Sequence, residues 1–257
     1  MSNTDNTVSD IFVKKVCEKM WEILTKKEII DLWLRSGGSN TRVAYAMSIL
    51  LGRGVVERVA SGVYVVQNET KNLEIWKIYW QIISKLIEVH SPSGGVIGGE
   101  KALELHLSNY SIPDILIIYT RDTALRIKMV DGREVHMRTL VSGPKTGKKN
   151  LWRTLVDHAI TIEMPEKIQI CGRELALLES LSLRRHDAGV EEANIARFLR
   201  SFAAILDRDI LGALTRLRYI RPLNRLRVLA RDLGYTGLYA MTLEIIRDEG
   251  GGCYLNL

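Results

Sequence analysis

The most constraining feature of the chain is a hairpin pattern that directly follows three helix-like segments. The stretch GRGVVERVASGVYVV, residues 52–66, holds two apolar runs separated by Ala60-Ser61-Gly62. Small residues between two short apolar runs are typical of a tight β-hairpin turn. The hairpin is either an ordinary one or the wing of a DNA-binding domain, and the preceding segments bear on this choice.

Two helices are predicted before residue 38. Apolar residues recur at helical spacing over residues 8–24, which predicts an amphipathic helix. Thr25 and Glu28 form a capping box, because the threonine hydroxyl and the glutamate carboxylate can each accept a free backbone N–H. The second helix should therefore begin at Lys26, and Gly37-Gly38 should end it.

A third helix, capped by Ser39 or Asn40 and ended by Gly52, completes the order of a winged helix-turn-helix. In that fold the third helix enters the DNA major groove, and the wing lies on the backbone or in the minor groove. Residues 25–66 carry six lysines and arginines against three acids, which favours DNA over the alternative of a small helical subdomain with a solvated hairpin. The residues expected to contact DNA are Ser39, Asn40, Thr41, Arg42, Tyr45, Ser48, Arg53, Arg58 and Ser61.

The fold class is therefore predicted to be α+β: an N-terminal winged helix-turn-helix, then a mixed α/β C-terminal domain ending in a helical bundle. The domains should be residues 1–68, a connector helix and linker at 69–95, and a C-terminal domain at 96–257, with its α/β part at about 96–170 and its helical part at about 171–257. Patterns predict a helix at 100–107, strands at 114–120, 124–130, 134–141 and 158–164, and helices at 173–183, 191–206, 209–219 and 223–233. Pro222 should occupy the first position of the last of these helices.

A basic loop at residues 142–150 resembles a phosphate-binding loop only superficially. Gly143 and Gly147 are separated by three residues where a P-loop has four, and Lys148 is followed by another lysine where a P-loop has Ser or Thr. We interpret it as an exposed loop in which Lys145, Lys148 and Lys149 contact the DNA backbone.

No catalytic, metal or cofactor site is predicted. Asp207-Arg208-Asp209 has the D-x-D spacing of magnesium sites in nucleotidyltransferases, but its place between helices indicates a helix cap. The five histidines form no HxH or HExxH pair, and no Gly-x-Ser-x-Gly occurs. Three widely separated cysteines form no CxxC, which is typical of reduced thiols. The protein should not be an enzyme.

Composition favours a cytoplasmic protein with a polyanionic partner and no membrane contact. The first ten residues are polar and acidic, unlike a secretory signal, and no apolar run approaches the roughly 20 residues needed to span a bilayer. The formal net charge of +6 suits nucleic acid.

The sequence as a whole resembles the AbiEi family, the antitoxin half of type IV toxin–antitoxin systems. The resemblance lies in residues 59–64 of the wing, 99–106 with Ile112-Pro113, Pro165-Glu166 with 174–178, and 225–235. The chain departs from the family at Ala60, where arginine is usual, and in its longer first domain, which adds the N-terminal helix and residues 73–89.

This resemblance implies a two-part antitoxin of an abortive-infection operon. The winged helix would bind inverted repeats in its own promoter as a transcriptional autorepressor. The C-terminal domain would counter a nucleotidyltransferase-like toxin, and a direct complex is not required. Because inverted repeats need two winged helices, a homodimer on DNA is expected. The alternative is a winged-helix regulator whose C-terminal domain binds a ligand or oligomerises, with no toxin partner.

Overall fold

A computed structural model describes residues 3–19, 22–67, 75–139, 151–163, 166–182, 192–250 and 252. The chain is of mixed α+β class, as predicted. It divides into two compact units, each made of more than one chain segment. Unit 1 comprises Met1–Gly94, Arg126–Val135 and Met164–Glu166, and unit 2 comprises Gly95–Leu125, His136–Glu163 and Lys167–Leu257.

The N-terminal part of unit 1 combines helices with a small antiparallel sheet. Its elements are α1 (Asn3–Cys17), β1 (Ile23–Thr25), α2 (Lys26–Arg35), a 3-10 turn (Asn40–Arg42), α3 (Val43–Gly52), β2 (Val56–Ala60), β3 (Val63–Val66) and α4 (Ile75–His90). The strand order is β1-β3-β2, and both pairings are antiparallel. The buried residues that fill its core include Phe12, Val16, Leu24, Ile29, Trp33, Met47, Leu50, Val56 and Val66.

Two expectations for this region were wrong in detail. The first helix ends at Cys17, and Ile23–Thr25 forms β1, a strand that the helical spacing over residues 8–24 had hidden. All three β1 residues are buried and pair with β3, because a short apolar run becomes a strand where a neighbouring strand offers free backbone groups. The third helix begins with a 3-10 turn, and the Ser39 side chain makes no capping hydrogen bond.

A second sheet has the strand order β6-β7-β5-β4-β9-β8. Its strands are β4 (Gly95–Ile97), β5 (Ile115–Thr120), β6 (Leu125–Lys128), β7 (Glu134–Thr139), β8 (Ile160–Glu163) and β9 (Lys167–Ile170), with α5 (Gly99–His106) and α6 (Leu151–Asp157) between them. β4 pairs antiparallel with β5 and parallel with β9. A strand lies within each of the four predicted ranges, whereas β4, β9 and α6 were not predicted.

The C-terminal part of unit 2 is helical. It contains α7 (Arg173–Ser182), α8 (Glu192–Phe202), a 3-10 turn (Ala203–Ile205), α9 (Arg208–Leu214), a π-helical turn (Thr215–Tyr219), α10 (Ile220–Asp232) and α11 (Thr236–Asp248). α11 was not predicted. In the part of the chain that the structure describes, no helix is both long and apolar enough to cross a membrane.

The position expected for Pro222 was wrong, because this residue lies in the third position of α10. α9 continues through the π turn into α10 without a break. A proline in a helix lacks one backbone donor and its ring crowds the carbonyl four residues earlier. The wider π turn, which ends at Tyr219 three residues before Pro222, is the place where the helix departs from regular geometry.

Candidate nucleic-acid interface

The turn between α2 and α3 is built on the indole of Trp33. This side chain is buried, with 2% exposure, and its Nε1–H donates to the carbonyl oxygen of Ser39 at 2.9 Å. Gly38 lies so close to the ring that a Cβ there would be 2.0 Å from the indole. Gly37 has φ of +89°, a left-handed conformation that favours glycine. The two glycines therefore let the chain turn tightly over Trp33 and enter the third helical segment at a fixed angle.

Six of the nine predicted DNA-contacting residues lie on this segment, between Ser39 and Ser48. Ser39, Asn40, Thr41, Arg42 and Ser48 are exposed. Tyr45 is half-buried, and its ring meets that of Trp33 edge-on at 6.4 Å. The structure thus exposes Ser39–Arg42 and Ser48, while Tyr45 packs on Trp33 at the buried side of the same segment.

The exposed face of α3 also includes Ala44, which sequence reasoning missed. Thr41, Ala44 and Ser48 follow one another at spacings of three and four residues, so they share one face of the helical segment. The sequence signal that could have identified Ala44 is its helical spacing of three residues from Thr41 and four from Ser48. The hydroxyls of Ser39 and Thr41 are hydrogen-bonded to each other at 2.9 Å, and the Ser48 hydroxyl donates to the Tyr45 carbonyl at 2.8 Å.

Arg53 lies at the opposite end of α3, where it follows the last helical residue. A ten-residue helix is about 15 Å long, so Arg53 is separated from the 39–42 segment by that order of distance. Its guanidinium forms an ion pair with Asp10 at 3.2 Å, and both side chains are more than half exposed. Such an exposed pair contributes about 0–1 kcal/mol, so it would not hold Arg53 away from another anion.

Arg58 and Ser61 belong to the β2–β3 hairpin. Arg58 pairs with Tyr64 across the hairpin and exposes its side chain, whose Nε–H makes a long hydrogen bond of 3.4 Å to the Ala60 carbonyl. The register shifts between Arg58 and Ala60, which marks a β-bulge. Ser61 is exposed at the turn, and Gly62 has the left-handed φ of +74° that the turn requires.

The hairpin turn is held on two sides within unit 1. The ring Nε2 of His90, at the end of α4, is 3.1 Å from the carbonyl oxygen of Ser61. The backbone N–H of Lys26, at the start of α2, donates to the Gly62 carbonyl at 2.9 Å. A Cβ at Gly62 would lie 3.4 Å from Val89 of α4. The turn is thus braced by its backbone, and the Ser61 side chain stays exposed.

The predicted capping box at the start of α2 is confirmed and extends to α4. Thr25 N–H donates to Glu28 Oε2 at 2.7 Å, and Glu28 N–H donates to Thr25 Oγ1 at 3.1 Å. Lys85 Nζ binds the other carboxylate oxygen of Glu28 at 2.7 Å. Partial burial opposes the charged form of Glu28, but the hydrogen bonds from Lys85 and Thr25 outweigh it, so the pKa of Glu28 is lowered. The Lys85–Glu28 ion pair therefore joins α4 to the N-terminus of α2.

The remaining site predictions concern the C-terminal residues. Lys145, Lys148 and Lys149 lie outside the described residues. The interpretation of Asp207 as a helix cap is confirmed, because its carboxylate accepts from the N–H groups of Asp209 and Ile210 at the start of α9. Among the residues described by the structure, no three His, Cys, Asp or Glu side chains are grouped so that they could hold a metal ion.

Unit 2 contains a polar cleft of about 510 Å³. Lys101 lies in its wall with 4% exposure, and its amine binds Glu104 Oε2 at 2.7 Å, the Asn109 carbonyl at 3.0 Å and the Ser111 hydroxyl at 3.1 Å. Burial lowers the pKa of Lys101 in spite of these partners. The other lining residues are Gly98, Glu100, Pro113, Asp114, Ile115, Ile117 and Asn194.

A buried carboxyl group in unit 2 was also invisible to sequence reasoning. Glu179 of α7 accepts hydrogen bonds from the phenol groups of Tyr119 and Tyr219. Burial raises the pKa of Glu179, although both tyrosine hydrogen bonds oppose this change. Tyr219 belongs to the π turn, so the carboxyl group joins that turn to α7 and to β5.

Comparison with known proteins gives information on the fold only. No protein-family model matches the chain, and no curated protein sequence matches it. A solved structure, that of the RV2827C protein from Mycobacterium tuberculosis, is similar over 94% of this chain and 81% of its own, with a TM-score of 0.63 and 13% sequence identity. At this identity the likeness shows a shared fold and carries no information on activity.

Proposed function

We propose that residues 3–67 form a winged helix-turn-helix through which the protein binds double-stranded DNA. The observation that carries this proposal is the strand order β1-β3-β2 in a unit where α2, a tight turn and α3 precede the β2–β3 hairpin. In winged helices the helix after the tight turn is the one that enters the major groove. Here that helix begins with the exposed segment 39–42.

Charge and burial support the same surface. The exposed arginines at 42, 53 and 58 lie at the two ends of α3 and on the hairpin, where they would meet phosphates flanking the groove. Tyr45 and Trp33 anchor α3 from its buried side, so the helix could be inserted without rearrangement of the core.

For the biological role, we propose a transcriptional autorepressor and antitoxin of a type IV toxin–antitoxin operon. This part is supported by the sequence resemblance to the AbiEi family. The chain would bind inverted repeats in its own promoter as a homodimer, and unit 2 would counter a nucleotidyltransferase-like toxin in the cytoplasm. A regulator without a toxin partner is the second candidate, and the cleft beside Lys101 is the observation that favours it, because such a cleft could hold a small ligand.

A salt-dependent binding measurement tests the DNA proposal. Full-length protein is titrated into its own promoter fragment by fluorescence anisotropy at two salt concentrations, and the Arg58→Ala variant is compared with Arg121→Ala. Both variants remove one exposed arginine charge, but Arg121 belongs to unit 2, where its side chain is 60% exposed. Loss of one phosphate contact should lower the slope of log affinity against log salt by about 0.9 in Arg58→Ala only. Equal slopes in both variants would remove the hairpin from the interface.

A co-expression test separates the two candidate roles. If the adjacent gene encodes a nucleotidyltransferase with G-S and D-x-D motifs, its induced expression should arrest growth, and the full-length protein should restore it. Arg58→Ala should still restore growth while it weakens repression, because the two activities are assigned to different units. A neighbour of another kind, or a failure to restore growth, would leave the ligand-responsive regulator as the role of this chain.

A further inference from the structure

The third helical segment has an unusual side-chain chemistry for a surface that meets DNA. Between Gly37 and Gly52 the sequence contains one charged residue, Arg42, and α3 itself contains none. The exposed positions that follow one face are Thr41, Ala44 and Ser48, and exposed Asn40 precedes them. Besides the guanidinium of Arg42, the groups of Asn40, Thr41, Ala44 and Ser48 offered to a groove include one amide, two methyl groups and the Ser48 hydroxyl.

These groups match adenine and thymine better than guanine and cytosine. In the major groove an asparagine amide pairs in a bidentate manner with N6 and N7 of adenine, whereas guanine is read chiefly by arginine or lysine. The methyl groups of alanine and threonine pack against the C5 methyl of thymine. The Thr41 hydroxyl is hydrogen-bonded to that of Ser39, and the same side chain carries a methyl group that can make such a contact.

Resting on the proposed function, we infer that α3 reads an A·T-rich core, with Asn40 as the residue that specifies an adenine. Ala44 and Thr41 line the groove beside thymine methyl groups. Arg42 contacts the phosphate backbone and carries no base preference. This assignment places the specificity-determining residue at the turn that Trp33 holds through the Ser39 carbonyl, so the amide is presented from a fixed backbone.

Selection from a random duplex library, followed by titration of base analogues, tests the inference with the full-length protein. The selected core should be A·T-rich. Replacing one adenine with 7-deazaadenine, which lacks N7, should weaken binding of the unchanged protein by about 2- to 12-fold at one position, the value of one of the two hydrogen bonds of a bidentate base contact. Asn40→Ala should bind the natural site more weakly and be insensitive to that replacement. Deoxyuridine in place of a contacted thymine should cost about fourfold, the value of one buried methyl group.

The outcomes separate this inference from the proposed function. If no duplex is retained even at low salt, DNA binding itself fails. If duplexes are retained with a G·C core, with no preference, or with equal sensitivity of both proteins to 7-deazaadenine, the readout is overturned while DNA binding stands. Arg42→Ala should lower affinity for all sequences alike, and loss of a selected guanine in that variant would also overturn it. The analogue titrations on the unchanged protein decide the question even if Asn40→Ala fails to fold.

Discussion

The substitution Gly38→Ala tests most directly how α3 is positioned. The new Cβ would lie 2.0 Å from Cε2 of Trp33, whereas ordinary contact begins near 3.4 Å, so the indole must move by roughly 1.4 Å, the difference between these distances. Trp33 is buried and packs edge-on against Phe12 at 5.2 Å, so it has little room to move. Overpacking of this kind costs about 1–3 kcal/mol, and the lost Trp33–Ser39 hydrogen bond about 0.5–1.5 kcal/mol more. We expect the free energy of unfolding of unit 1 to fall by about 1.5–4.5 kcal/mol.

Gly52→Ala is the matched control, because it is the same chemical change at the other end of α3. A Cβ at Gly52 meets nothing within 4 Å, and the residue is helical. Alanine there should stabilise the protein by about 0.4–1 kcal/mol, since it restricts the unfolded chain and favours the helix. The two variants should therefore change stability in opposite directions.

Urea denaturation followed by circular dichroism measures both changes, and NMR reports the local event. The five tryptophans give five indole N–H signals, and the Trp33 signal should exchange slowly with solvent because its donor is bonded to Ser39. In Gly38→Ala this signal should shift and exchange faster, and DNA affinity should fall. Unchanged stability and an unchanged Trp33 signal in Gly38→Ala would refute the account of the turn.

Three further predictions follow from the charges and one from the domain organisation. Glu28→Gln should lower the free energy of unfolding at pH 7 by about 0.5–1 kcal/mol, a screened value for a part-exposed pair. The effect should be fully present above the pKa of about 4.3 that Glu28 has in the unfolded chain, and it should vanish as pH falls through the lowered pKa of the folded state. Glu179→Gln should gain stability relative to the unchanged protein as pH rises above about 4.3, the ordinary pKa of a glutamate. Burial raises the pKa of Glu179, so the folded state holds this proton more tightly than the unfolded state does, and the unchanged protein loses stability when the proton leaves. Parallel pH profiles of the two proteins would contradict this prediction. Charge-neutral replacement of Lys145, Lys148 and Lys149 should lower promoter affinity and the salt slope by up to about 0.9 per lysine while toxin rescue survives, and no change in either would make the loop a solvated linker. A fragment of residues 1–70 should give a dispersed NMR spectrum, as expected of a separable domain. A fragment of residues 1–94 should melt at a higher temperature because it adds the Lys85–Glu28 pair. A molten spectrum of the 1–70 fragment would mean that α4 is part of the same folding unit.

The sequence alone predicted those features whose cause lies within a few residues. The capping box of Thr25 and Glu28, the Ser61-Gly62 turn and the Asp207 cap are each set by neighbouring backbone groups, and the structure contains all three. The exposure of Ser39 to Arg42 also follows from a local pattern, because the apolar residues of α3 claim the opposite face. Their proposed contact with DNA stays a prediction.

Tertiary structure decided what depends on partners far along the chain. Ile23–Thr25 is a strand because β3, some forty residues later, offers free backbone groups to it, and three residues are too few for periodicity to reveal this. The His90–Ser61 contact spans 29 residues, the Lys85–Glu28 pair 57, and the Tyr119–Glu179 hydrogen bond 60. A sequence pattern does not show these partners, because the choice of partner depends on which elements the folded chain brings together.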